Sequence, residues 1–203
     1  MPEMPTPERL TALGAALLVI DVQERLIRLI RRGDLVIANT ERLVRAANLL
    51  GVPVLATEQY PKGLGPTVDS LLPLLPVRRE KTLFQAADAA GLIAPEANAP
   101  IRHIAVAGIE SHVCVMQTAL ELLRRGFAVQ VPTDAVASRG EEDHRAALRR
   151  LEASGATITT TEAILFEWTE RSDHPAFKAI SALVKDFKPP PVQCRLPDRG
   201  TGT

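Results

Sequence analysis

Ala15-Ala-Leu-Leu-Val-Ile-Asp21 is an almost unbroken apolar run that stops on a carboxylate. A run this short, apolar on both alternate sets of positions, suits a strand covered on its two faces, as in a parallel sheet. The neighbouring segments support that reading. Residues 40–50 place Leu43, Val44, Ala47 and Leu50 on one helical stripe, Gly51 stops the helix, and residues 53–57 begin a second strand. The same alternation predicts strands over 77–81, 103–107, 127–131 and 156–160. Helices are expected over 86–93, 113–125, 141–154, 161–168 and 176–186. Residues 60–76 hold Pro61, Pro66, Pro73 and Pro76 with Gly63 and Gly65, so that stretch reads as loop with at most a short helix near 68–72.

Repeated strand–helix units predict an α/β protein: a three-layer αβα sandwich around a six-stranded parallel sheet of order 3-2-1-4-5-6, Rossmann-like in its winding. No linker divides the chain, so one domain over 1–188 is expected, with a Pro/Gly-rich tail over 189–203.

Composition narrows the function. The chain has 203 residues, with 24 Lys and Arg against 24 Asp and Glu. That balance lacks the basic surface from which nucleic-acid binders draw affinity, and 3% aromatic content is too low for a base-stacking platform. No apolar run approaches the ~18 residues a membrane span needs. The opening Met1-Pro-Glu-Met-Pro-Thr-Pro-Glu does not read as a secretory signal. Cys114 and Cys194 are too few for a disulfide scaffold, so a cytoplasmic location is expected, with no nucleic acid and no membrane as partner. Gly63-Leu-Gly65-Pro is not a dinucleotide fingerprint, because it follows no strand directly and lacks a third glycine. No cofactor is expected.

In a sheet of this order, ligands bind in the crevice at the carboxyl ends of strands 1 and 4. Asp21 ends the first of these strands, and Gly108-Ile-Glu-Ser-His-Val-Cys114-Val follows the other. A thiol in the first turn of a helix lies near unpaired N–H groups and the positive end of the macrodipole. Both favour thiolate over a free-cysteine pKa of roughly 8.5. The same position also suits a small apolar residue packed under the helix. Asp21 suits a general base or a turn residue. Lys81, at the end of the short third strand, suits a cation in the cleft or a solvated surface charge.

Three segments taken together resemble the signatures of the isochorismatase-like cysteine hydrolases: Leu18-Val-Ile-Asp21-Val-Gln23, Lys81 before Thr82-Leu-Phe84, and Gly108-Ile-Glu-Ser-His-Val-Cys114-Val. Thr133-Asp-Ala-Val-Ala-Ser-Arg139 and Thr160-Thr-Glu162 resemble later family segments, and the likeness covers residues 12–187. Thr57-Glu-Gln-Tyr-Pro-Lys-Gly-Leu-Gly65 is most similar to the isochorismatase-domain-containing subgroup. The resemblance implies a catalytic triad of Asp21, Lys81 and Cys114. It implies a non-proline cis peptide at His112–Val113, with the N–H groups of Val113 and Cys114 as oxyanion hole. It also implies hydrolysis of a small carbonyl substrate through a covalent thioester, with C–N cleavage favoured. Gln23, Gln59, Tyr60, Phe84 and His112 flank the triad segments and are expected to bind substrate or to serve structure.

Relatives with a metal carry histidines after strand 2. Here that region has none, and the histidines at 103, 112, 144 and 174 are scattered, so no metal is expected. His103 and His144 are expected at the surface or at strand edges. Three arginines within 28–32 read as a solvated face. Cys194 reads as a free thiol without function. Family members are often homo-oligomers, so a dimer or larger assembly is expected. The alternatives are vinyl-ether hydrolysis and a non-catalytic binding protein on the same fold.

Overall fold

The computed structural model describes residues 9–95, 97 and 100–191. The tail from 192, with Cys194, lies outside the described residues. In chain order the strands are β1 (Ala15–Ile20), β2 (Val54–Gln59), β3 (Arg79–Lys81), β4 (His103–Ile109), β5 (Ala128–Pro132), β6 (Val136–Ala137) and β7 (Thr157–Thr159). The helices are α1 (Glu24–Ile27), α2 (Gly33–Leu50), α3 (Pro61–Leu64), α4 (Ala87–Ala90), α5 (Met116–Arg124), α6 (Glu141–Ala153), α7 (Thr161–Thr169) and α8 (Phe177–Lys185).

The main sheet runs β3-β2-β1-β4-β5-β7 with every pairing parallel, which is the expected order, and β6 is an additional strand. Among the described residues the sheet therefore has seven strands rather than six. The seventh exists because β5 pairs with β4 only at His103, Ile104 and Ala105, after which β6 takes over at Gly108 and Ile109. Two residues are too few to leave a periodic signal in the sequence.

Alternation along the central strands sorts the core into two halves. Leu17 and Val19 of β1, with Ala105 and Ala107 of β4, face Leu43 and Ala47 of α2 and Ile164 and Trp168 of α7. Leu18, Ile20 and Val106 point the other way, against Ala119 and Leu122 of α5 and Leu151 of α6. All these side chains are buried, so both faces of the sheet are covered, which explains why Ala15–Ile20 is apolar at every position. Among the described residues, no helix is long and apolar enough to cross a membrane.

Several boundaries differ from expectation. α2 begins at Gly33, not at 40, and a side chain at Gly33 would collide with the Ile27 carbonyl at the end of α1. The loop over 60–76 contains the single turn α3 and a 3-10 turn at Leu72–Leu74. Of the two histidines expected at the surface or at strand edges, His103 is the first residue of β4 and His144 lies on α6, and both are buried. His103 Nε2 lies 2.6 Å from the Thr11 carbonyl, and His144 Nδ1 lies 2.9 Å from Ser111 Oγ.

Candidate active site

Register builds the site. Ile20 pairs with Thr57 of β2 on one side and Gly108 of β4 on the other, so these residues form one row at the carboxyl edge of the sheet. Asp21 is the next residue beyond that row, and Lys81 pairs with Gln59 at the end of β2. β4 comes close enough to β1 only because residue 108 is glycine. Its φ is +117°, and a methyl group there would collide with the Ile20 carbonyl oxygen.

Asp21 is fully buried and sits at φ +51°, a left-handed conformation uncommon for a residue other than glycine. Thr57 Oγ1 donates to Oδ1 at 2.8 Å, and Lys81 Nζ forms an ion pair with Oδ2 at 2.6 Å. Lys81 is 7% exposed, and its ammonium also donates to Gln59 Oε1 at 2.6 Å and to the carbonyls of Leu83 and Phe84 at 3.2 Å each. The same ammonium is 3.6 Å from Cys114 Sγ. The three residues singled out in the sequence therefore converge, with one cation touching both the carboxylate and the sulfur.

Cys114 lies in a wide π-type turn, Ser111–Val115, that leads into α5. Thr118 fastens this turn from one helical turn below: its hydroxyl donates to the Cys114 carbonyl at 2.5 Å and accepts from the Ala86 N–H at 2.9 Å. That second bond ties the loop after Lys81 to the helix carrying the thiol. The helix-terminus argument predicts a lowered thiol pKa, and the structure reverses it. Burial pushes Cys114 up to about 12, the Asp21 charge and its hydrogen bond add to this, and Lys81 opposes. The thiol is 6% exposed and stays protonated at neutral pH. A neutral thiol beside a buried carboxylate is arranged to lose its proton only as sulfur bonds to an electrophile.

Two further expectations are corrected. The cis peptide is at Ile109–Glu110, not at His112–Val113; it stands between the Gly108 close approach and the π-type turn. The Val113 N–H donates to the Glu110 carbonyl at 3.0 Å, inside that tight turn, and is therefore already engaged rather than aimed at an oxyanion.

The other expected pocket residues divide. Gln23 is fully buried and its amide is committed: it accepts from the Gln59 N–H at 2.8 Å and donates to the carbonyls of Gln59 at 3.1 Å and Gly65 at 2.6 Å. Gln23 shapes the loop. Gln59 holds Lys81. Tyr60 and Phe84 are 55% and 53% exposed, on segments whose backbones bond to Lys81. His112 is half-buried, with Nδ1 2.9 Å from Ser138 Oγ. Sequence reasoning missed Thr57, Thr118 and Ser138. They are short hydroxyl residues on β2, on α5 and just after β6, and only the tertiary fold brings them to the site. Among the described residues, no group of three or more His, Cys, Asp or Glu side chains is placed to hold a metal ion.

Comparison with known proteins identifies the family. The chain belongs to the Isochorismatase domain family, whose match covers residues 15–163. It is 38% identical over 176 residues to isochorismatase domain-containing protein 1 of Danio rerio, covering 83% of this chain and 60% of that protein. The chain thus spans about three-fifths of the length of that curated relative. Among solved structures it is similar to the MAR1 ribonuclease of Caenorhabditis elegans, with 36% identity and a TM-score of 0.82 over 93% of this chain and 98% of that one. It is also similar to YcaC of Pseudomonas aeruginosa, described with hexane-2,5-diol and covalent acrylamide, with 27% identity and a TM-score of 0.78 over 88% and 92% of the two chains.

Proposed function

We propose that this protein is a cysteine hydrolase that cleaves a C–N bond in a small carboxamide, with Cys114 as nucleophile, Asp21 as proton carrier and Lys81 as their shared cation. The observation that carries the reading is the convergence of a buried carboxylate, a buried ammonium and a thiol at the carboxyl edge of the sheet. Covalent acrylamide on the Pseudomonas aeruginosa relative supports chemistry with an unsaturated amide in this family.

In this mechanism the Cys114 proton passes to Asp21 as sulfur attacks the carbonyl carbon. Lys81 offsets the negative charge throughout. The Cys114 N–H, at the start of the helix, holds the oxyanion. The C–N bond then breaks, the amine takes the proton from Asp21, and a thioester remains. Water attacks the thioester after giving a proton to Asp21, the acid departs, and that proton returns to sulfur. No step passes through a metal. Lys81, already paired with Asp21 and Gln59, orients and balances charge rather than binding a charged substrate.

Self-association is part of this reading, since Leu83 and Phe84 expose apolar side chains beside the site. The name of the Caenorhabditis elegans relative makes RNA cleavage the second reading. The even charge balance and the internal pairing of Lys81 weigh against it. A panel of small amides, isochorismate and an RNA oligonucleotide, incubated with wild type beside Cys114→Ala, tests the proposal by the mass change of both protein and small molecule. Amide loss with a transient adduct in wild type alone supports it. Turnover of RNA or isochorismate by both proteins, without an adduct, contradicts it.

A further inference from the structure

Glu110, Ser111 and His112 are consecutive, and each is gripped by a residue following β6. Glu110 accepts from the Arg139 N–H at 3.0 Å and pairs with the Arg139 guanidinium, also at 3.0 Å. His112 Nδ1 lies 2.9 Å from Ser138 Oγ. Ser111 Oγ lies 2.9 Å from His144 Nδ1 on α6. The last contact differs from the other two in burial: Ser111 is fully buried and His144 is 6% exposed, so water does not replace either partner. Ser111 also opens the π-type turn that ends at Val115 and holds Cys114. Asp21, just past the end of β1, and Lys81, at the end of β3, stand on segments separate from this turn.

We propose that His144 is a positioning residue, which through Ser111 fixes the turn that presents Cys114 to Asp21 and Lys81. The groups facing the imidazole are Ser111, Glu141 and Arg32. Burial keeps His144 neutral, Arg32 acts in the same direction, and Glu141 opposes. A neutral ring leaves the hydroxyl free to donate to Nδ1 or accept from it, so the contact holds in either tautomer. The functional consequence rests on the cysteine chemistry proposed above; the placement of the turn does not.

The test exploits the difference between the two ring nitrogens. The amide of Asn reaches the place of Nδ1, whereas that of Gln reaches the place of Nε2. Two quantities are measured on the full chain: the rate of acrylamide addition to Cys114 by peptide mass, and amide hydrogen exchange across residues 110–115. In the addition, sulfur bonds to the terminal alkene carbon and the thiol proton ends on the carbon beside the carbonyl. Ser111→Ala and His144→Ala are expected to slow labelling about tenfold and to speed exchange across 110–115, while exchange in 103–109 is unchanged. The double variant should be no slower than the worse single variant. His144→Asn should stay within about twofold of wild type, and His144→Gln should not. If His144→Ala fails to fold, the Asn and Gln pair carries the same comparison. Equal behaviour of Asn and Gln, multiplying losses in the double variant, or wild-type exchange in the alanine variants overturns the proposal. Failure of wild-type Cys114 to label overturns the catalytic reading instead, and the exchange measurements alone then decide the positioning role.

Discussion

The Lys81 ammonium lies 2.6 Å from Asp21 Oδ2 and 3.6 Å from Cys114 Sγ, so one buried cation joins the carboxylate to the thiol. Removing it leaves the Asp21 charge uncompensated in a fully buried position. Lys81→Met is expected to destabilise the fold by about 3–5 kcal/mol in urea unfolding. Adding Asp21→Asn to that background should recover a large part of the loss, because no isolated charge then remains. Simple additivity of the two substitutions would show that the pair is not coupled as described.

Gly108 allows β4 to lie against Ile20, and its φ of +117° excludes an ordinary side chain. Gly108→Ala puts a methyl group into backbone that cannot move aside. We expect a loss above about 4 kcal/mol, read as a collapse of soluble yield or of the thermal midpoint. A variant of wild-type stability would mean that β1 and β4 do not approach as closely as the row Thr57–Ile20–Gly108 requires.

Alkaline stability reports the thiol. The ordinary cysteine value is 9.0, and in the fold Cys114 is pushed up to about 12. Between these values the unfolded chain has lost a proton that the folded chain keeps, so stability is intact below pH 9 and declines as pH rises towards 12. From pH 9 to pH 10, in reducing buffer, wild type should lose about 1 kcal/mol more than Cys114→Ala. Parallel pH dependence of the two proteins contradicts a buried, protonated thiol.

Thr57 Oγ1 donates to Asp21 Oδ1 at 2.8 Å within buried surroundings. Thr57→Val keeps the shape and deletes the bond. Loss of a hydrogen bond to a buried charge should cost about 1.5–3 kcal/mol in urea unfolding. Wild-type stability in Thr57→Val would mean that this hydroxyl does not support the buried carboxylate.

The sheet order and the three converging residues are legible in the sequence because strand ends carry their own punctuation. Asp21 follows six apolar residues, Lys81 precedes a loop, and Cys114 lies in the segment between β4 and α5. What escapes is tertiary. The start of α2 is hidden behind Arg31, Arg32 and Gly33, which look like loop residues locally. β6 is two residues long. The direction of the thiol pKa is misjudged when the helix end is counted and burial and the facing Asp21 charge are not. The Ser111–His144 contact joins residues 33 positions apart on no shared periodicity.

Covalent labelling of Cys114 in an Asp21→Asn variant tests the central claim most directly. The Asp21 charge holds the thiol pKa up, so its removal lowers that pKa and, on charge alone, speeds reaction with acrylamide. If Asp21 instead carries the proton away during attack, labelling in Asp21→Asn falls by about 10²–10⁴-fold at neutral pH despite the lowered pKa. The proposed mechanism predicts that fall. Labelling as fast as wild type, or faster, contradicts it.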